Sequence, residues 1–354
     1  NTLFFPARWE GKTLTGSDDP AAGPALFPFD AMSIAVEEAK KQDLRIFAFV
    51  PVFQAAPDSS GAPARAAWLC RDSAGRAILP PQESFPMPPA YYYSAANPEA
   101  QAALRGFLVH LAQTYPQIDG IHLCELRYPG ADFISSGEDE ARFAGRGNPN
   151  RLWRAAWQRE QITRFLRDTA VELRAARPEL ILSASATAYF DRFAYGEELP
   201  AFIRSGFQDF YEDPQRWVDD GLVDFILFED PNRWTFQSMA SSDPAENEAF
   251  LKRLAALPSS QALLEEWFER LSEPRTAREF VMRLGADAIP AEMTETSQAG
   301  AVGLVIRDLE QFETAQLLDR IRDEVFASPA QFPPFQENRE KGRAALLGAV
   351  KTPE

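Results

Sequence analysis

Short apolar runs alternate with amphipathic helical stretches along almost the whole chain, and that alternation restricts the possible folds most. Residues 1–6, 44–53, 121–126, 180–186, 223–228, 279–284 and 302–306 read as strands. The run 44–53 is apolar on both faces, as strands of a parallel sheet are. Helices are expected over 29–42, from Asn97 to near Pro116, over 153–176, from Asp213 to Gly221, from Asp243, over 260–271 and over 312–326. The start at Asn97-Pro98-Glu99 combines a capping side chain, a first-turn proline and an acid near the positive end of the helix dipole. Leu104, Phe107, Leu108 and Leu111 then follow at helical spacing. Strand–helix repetition implies a parallel sheet, either open and doubly wound or closed into a barrel. No glycine-rich phosphate loop follows any strand, which argues against a nucleotide-binding open sheet. Seven units fit a (β/α)8 TIM barrel lacking its first β-strand and helix, spanning residues 1–326. A proline-rich, then charged tail follows over 327–354. Because the chain opens at Asn1 inside a strand and without a methionine, the true N-terminus is expected upstream.

At 354 residues the chain is long enough for one large core. A formal charge of −16 argues against a nucleic-acid surface and against anionic membranes, and favours a neutral or cationic ligand over a strongly anionic one. No apolar run approaches the roughly 20 residues of a transmembrane helix. Two cysteines and two histidines make neither a disulfide framework nor a zinc site, so no metal and no cofactor is expected.

Chemistry is expected where polar groups follow strands. The stretch from Asp119 to Pro129, D-G-I-H-L-C-E-L-R-Y-P, ends its strand with Glu125 and Arg127. In a barrel of this class the carboxyl ends of the strands carry the active site. His122 and Cys124 share the inward face by strand alternation, so Glu125 turns inward only if the strand ends or twists there. Glu229 and Asp230 close the strand 223–228 as two adjacent acids, which packing does not explain. Aromatics in loop-like settings, Trp9, Tyr92 and Trp234 among them, suit stacking on sugars. The long irregular segments 54–96 and 130–150 interrupt the repeat, and segments of that length in a compact domain are usually functional or mobile.

At 119–129 the chain resembles the glycosyl-hydrolase-like family 10 proteins. Further likeness lies in N-T-L-F-F-P-A-R-W-E-G at the start, N-P-E-A-Q-A-A-L at 97–104, W-Q-R-E-Q-I-T at 157–163, and from Asp213-Pro214 to Asp224, which resembles a pattern opening Q-D-P. The resemblance runs from Asn1 to about Phe236. It implies a TIM-barrel glycosidase-like protein outside the cytoplasm, acting on polysaccharides. Arg8 and Arg127 match family arginines and are expected to bind hydroxyls or orient a carboxylate, and His122 is placed at the mouth. The chain also departs from the pattern: the strand-end aspartate is Cys124, two polar mouth positions are Pro6 and Pro51, and a glutamine is Glu229.

Two functions are open on these grounds. One is a glycoside hydrolase with Glu125 and Glu229 as its carboxylate pair and carbohydrate held by Arg8, Trp9, Tyr92, His122, Arg127, Asp230 and Trp234. The other is a catalytically degenerate barrel that binds glycan without cleaving it, having lost the aspartate at Cys124.

Overall fold

The computed structural model describes residues 2–19, 22–57, 65–77, 90–133, 137–192 and 204–229, two further strands at 276–281 and 303–307, and positions 248 and 252. Asp230, Trp234, the helices expected from Asp243, over 260–271 and over 312–326, and the tail 327–354 lie outside the described residues.

Seven strands form one sheet in sequential order: β1 (Thr2–Pro6), β2 (Arg45–Pro51), β3 (Gly120–Cys124), β4 (Ile181–Thr187), β5 (Phe225–Glu229), β6 (Thr276–Val281) and β7 (Gly303–Arg307). Every neighbouring pair is parallel. This is the order of a (β/α)8 barrel, with seven strands among the described residues. Helices α1 (Ala31–Lys41), α2 (Pro98–Thr114), α3 (Gly137–Ala144), α4 (Arg154–Ala176) and α5 (Pro214–Asp219) lie among the first five strands.

The starts of the helices follow from their capping residues. Asp30 accepts the Ser33 N–H at 2.8 Å to open α1, and Asn97 accepts from both Glu99 and Ala100 at 3.0 Å to open α2. Gly221, at φ +64°, follows the end of α5.

Strand register is pegged twice by one device. Asp119, just before β3, gives its N–H to the Ile46 carbonyl and takes the Ile46 N–H on its carboxylate at 2.8 Å. Asp224, just before β5, does the same with Leu182 on β4. Each aspartate closes a ring onto one residue of the neighbouring strand, so a slip costs two hydrogen bonds at once.

Side-chain alternation sorts the sheet into two layers. Ile46, Ala48, Val50, Ile121, Leu123, Leu182, Ala184, Ile226 and Phe228 join the core beneath the helices. Phe47, Ile181, Phe225 and Leu227, with Phe4, form a separate inner cluster. Gly120 makes room for that cluster, since a Cβ there would lie 2.3 Å from Cε1 of Phe47 and 2.7 Å from the Ile181 carbonyl oxygen.

Strand boundaries depart from expectation by one to three residues, and two of the departures are informative. The strand expected over 121–126 ends at Cys124, because Glu125 adopts a left-handed conformation with φ +51°. The strand expected over 279–284 runs from Thr276 to Val281, paired with Phe225–Glu229 and Gly303–Arg307. The segment 54–96 contains an antiparallel ribbon, Gln54–Pro57 with Ala90–Tyr92, and the segment 130–150 contains α3.

Gly120→Ala is expected to lower stability by about 2 kcal/mol in urea unfolding, the usual cost of overpacking. Adding Phe47→Leu should recover part of that loss. An unchanged midpoint would mean the inner cluster has room to spare.

Candidate active site at the carboxyl edge of the sheet

Four segments that follow strands meet at one end of the barrel. The loop after β2 carries Tyr92, the loop after β3 carries Glu125 and Arg127, the segment after β4 carries Glu212, and β5 ends at Glu229. The strand pattern itself turns polar here. On the inner face β3 runs Gly120, His122, Cys124, β4 runs Ile181, Ser183, Ser185, Thr187, and β5 runs Phe225, Leu227, Glu229.

The left-handed backbone at Glu125 costs about 1–2 kcal/mol for a residue with a Cβ. It ends β3 and brings the carboxylate to two partners. Arg127 donates to it through Nε (2.8 Å to Oε2) and Nη2 (3.1 Å to Oε1), a bidentate pair. The Tyr92 hydroxyl donates to Oε2 at 2.7 Å. Burial, then the Glu125 charge, push the Tyr92 phenol well above its usual range, so it remains a donor. Burial works against the Arg127 charge, but Glu125 first, then Tyr92 and Glu212, hold its pKa well above the ordinary value. The Arg127 guanidinium also lies 4.4 Å from the ring centroid of Phe210.

Glu212 is a member of this site that the sequence reading does not single out. It is buried, and Oε2 accepts the Thr187 N–H at 2.8 Å. Burial pushes its carboxyl from the ordinary 4.5 up to about 7; Arg127 and the Thr187 N–H pull the other way, and the Glu229 charge adds to the rise. Glu229, also buried, is the register partner of Thr187 across β4 and β5. A signal for Glu212 exists in Tyr211-Glu212-Asp213-Pro214, where an acid stands at the glutamine of the Q-D-P pattern.

The other expected residues occupy distinct places. Arg8 is buried and donates to the carbonyls of Ala22 (3.0 Å), Pro51 (2.6 Å), Val52 (3.1 Å) and Ala55 (3.1 Å). It ties the end of β1 to the chain leaving β2, and burial lowers its pKa. His122 lies fully inside the barrel, with its ring nitrogens 2.9 Å from the hydroxyls of Ser183 and Ser185, stacked on Phe49 and edge-on to Phe4. Cys124 and Cys70 are both buried and not joined in a disulfide. Trp9 is 45% exposed on the short ribbon that follows β1, and Trp153, at the N-cap of α4, is 88% exposed. Among the described residues, no group of three or more His, Cys, Asp or Glu is arranged to hold a metal ion. No helix among them is long and apolar enough to cross a membrane.

The sequentially ordered parallel sheet with helices between its strands defines an α/β barrel, with Glu125 and Glu229 at its carboxyl edge. The family described as glycosyl hydrolase-like 10 matches residues 7–241, well over half of the chain, and the chain belongs to that family. Among solved structures, the β-galactosidase from the psychrophilic Marinomonas ef1 is similar at 12% identity with a TM-score of 0.54, over 99% of this chain and 55% of that one. The β-galactosidase from the Antarctic haloarchaeon Halorubrum lacusprofundi is similar at 11% identity with a TM-score of 0.52, over 82% of this chain and 47% of that one. The chain thus spans about half the length of these enzymes, and at such identity the likeness is one of fold. No curated protein matches the sequence.

Glu212 binds its proton more tightly folded than unfolded. Its contribution to stability is therefore complete below 4.5 and is lost as pH rises to about 7. Glu212→Gln keeps an acceptor for Thr187 and has no charge to bury. The variant should gain stability over wild type across that window, by on the order of 3 kcal/mol at most, and then level off. Thermal melts of both proteins across the pH range would check this. A difference that does not change with pH would contradict it.

Proposed function

We propose that the protein is a glycosidase that cleaves a polysaccharide or oligosaccharide at the carboxyl edge of its barrel, with Glu125 and Glu229 as the carboxyl groups facing the scissile bond. The observation that carries this reading is the meeting of three carboxyls from separate segments, Glu125 and Glu212 beside Arg127 and Glu229 next to Glu212. Glycoside hydrolysis needs one carboxyl that gives a proton to the leaving oxygen and one that stays ionised. Glu125, paired with Arg127 and bonded by Tyr92, suits the ionised role, as nucleophile or as base toward water. In the overall reaction the C1–O bond breaks, the leaving oxygen gains a proton, and water supplies the hydroxyl that C1 keeps. Glu229, beside Glu212, lies on the proton-donating side.

Trp9, exposed on the ribbon after β1, is the aromatic for stacking on a sugar in this reading, and Asp230 and Trp234 follow β5 in the chain. Arg8 acts here by holding the loop carbonyls rather than by reaching a ligand, and His122 by filling the barrel beneath the mouth. Work on polysaccharides outside the cytoplasm fits this reading. A glycan-binding barrel without cleavage is the second reading, favoured by the thiol of Cys124 at the inward end of β3.

Release of reducing ends from a panel of soluble polysaccharides separates the two. Hydrolysis by wild type, with losses of about a thousandfold or more in both Glu125→Gln and Glu229→Gln, supports the first. Glycan binding by wild type with no release, and release appearing in Cys124→Asp, would establish the second.

A further inference from the structure

The turn after β4 is built around one carboxyl. Residues Gly206–Phe210 form a single π-helical turn, a rare element found often at functional sites. Ser205 opens it, its hydroxyl accepting from Gln208, and Asp209 anchors it by accepting the Ser205 N–H (2.7 Å) and pairing with Arg192 (3.0 Å) and Arg204 (3.5 Å). Tyr211 then reverses the chain in a left-handed conformation, φ +60°, and the Glu212 N–H returns to the Gly206 carbonyl at 2.9 Å. The outcome is that Glu212 folds back over Gly206. A Cβ on residue 206 would lie 2.6 Å from Glu212 Oε2, the same oxygen that accepts the Thr187 N–H. Glycine is needed there for close approach, not for backbone freedom.

We propose that Glu212 is a positioning residue that holds the working proton of this mouth in a pair with Glu229, and that Gly206 and its turn form the seat for it. The proposal rests on the glycosidase reading for its purpose, and on geometry for its placement. The charged groups facing Glu212 are Arg127, from the loop after β3 with Glu125 behind it, and Glu229, from the end of β5. Thr187, whose N–H Glu212 accepts, is the register partner of Glu229, so the two carboxyls are neighbours, and interacting carboxyls titrate as a pair. The pair's one proton reaches the leaving oxygen through Glu229, which leaves both carboxyls ionised until it is replaced. The balance closes when the proton released by the attacking water returns to the pair at the end of the cycle.

The Thr187 amide proton reports this without any substrate, because it is bonded to Glu212. Followed by NMR from about pH 5 to about pH 9 in wild type, its shift should move with a midpoint near 7. The movement should vanish in Glu212→Gln. In Glu229→Gln the midpoint should fall, because the charge that helps to raise it is gone. Gly206→Ala should uncouple the amide from that titration. A flat Thr187 response in wild type, or a midpoint unmoved by Glu229→Gln, would overturn the pair. Since no sugar is needed, a normal titration in a protein that cleaves no glycan would count against the glycosidase reading and leave this pairing intact.

Discussion

The bidentate pair between Arg127 and Glu125 is the interaction on which the mouth depends. Arg127 is nearly as buried as a core residue, and a guanidinium in that setting is tolerated only when its charge is answered. Glu125 answers it directly, Tyr92 shares the same carboxylate, and Phe210 covers the guanidinium face. Through these contacts the loops after β2, β3 and β4 are tied to one cation. Without Arg127, Glu125 would lose its ion-pair partner, and buried Glu212 would lose the cation that favours its charged form. The strained backbone at Glu125 is the local cost of the arrangement, and it appears where the strand hands over to the site.

The barrel beneath explains why the polar groups collect at this end. Its inner face is filled by Phe4, Phe47, Ile181, Phe225 and Leu227, then by His122 with its two serine hydroxyls. On β3, β4 and β5 the last inward positions, Cys124, Thr187 and Glu229, adjoin the strand-end loops. Arg8 braces the same edge from the other side by gathering the carbonyls of Pro51, Val52 and Ala55. An arginine that looks like a ligand-binding group in sequence thus acts on the main chain.

The strands are legible because each is a short apolar run between helix signals, and all seven expected strands are present. The failures have local physical causes. Sequence places the end of β3 two residues late because nothing in Leu-Cys-Glu-Leu announces a left-handed glutamate. The ribbon Gln54–Pro57 with Ala90–Tyr92 escapes notice because its strands are short, rich in small residues and proline, and far apart in sequence. Tyr92 reads as a loop aromatic, yet it is buried together with its neighbours Tyr91 and Tyr93. Glu125 and Glu229 are visible as acids at strand ends. Glu212 is not, because it precedes a helix cap and reads as part of it; only the turn of Gly206–Phe210 brings it back to Thr187.

The central claim is that Glu125, Glu212 and Glu229 form one sugar-cleaving mouth. Its most direct test is a crystal structure of the Glu229→Gln protein soaked with an oligosaccharide that wild type cleaves or binds. The account predicts a glycosidic oxygen within hydrogen-bonding distance of the substituted side-chain amide at position 229, with C1 facing Glu125 across the rim and Trp9 alongside the chain. Sugar bound away from these three positions, or a mouth that stays empty while sugar occupies another face, would contradict it.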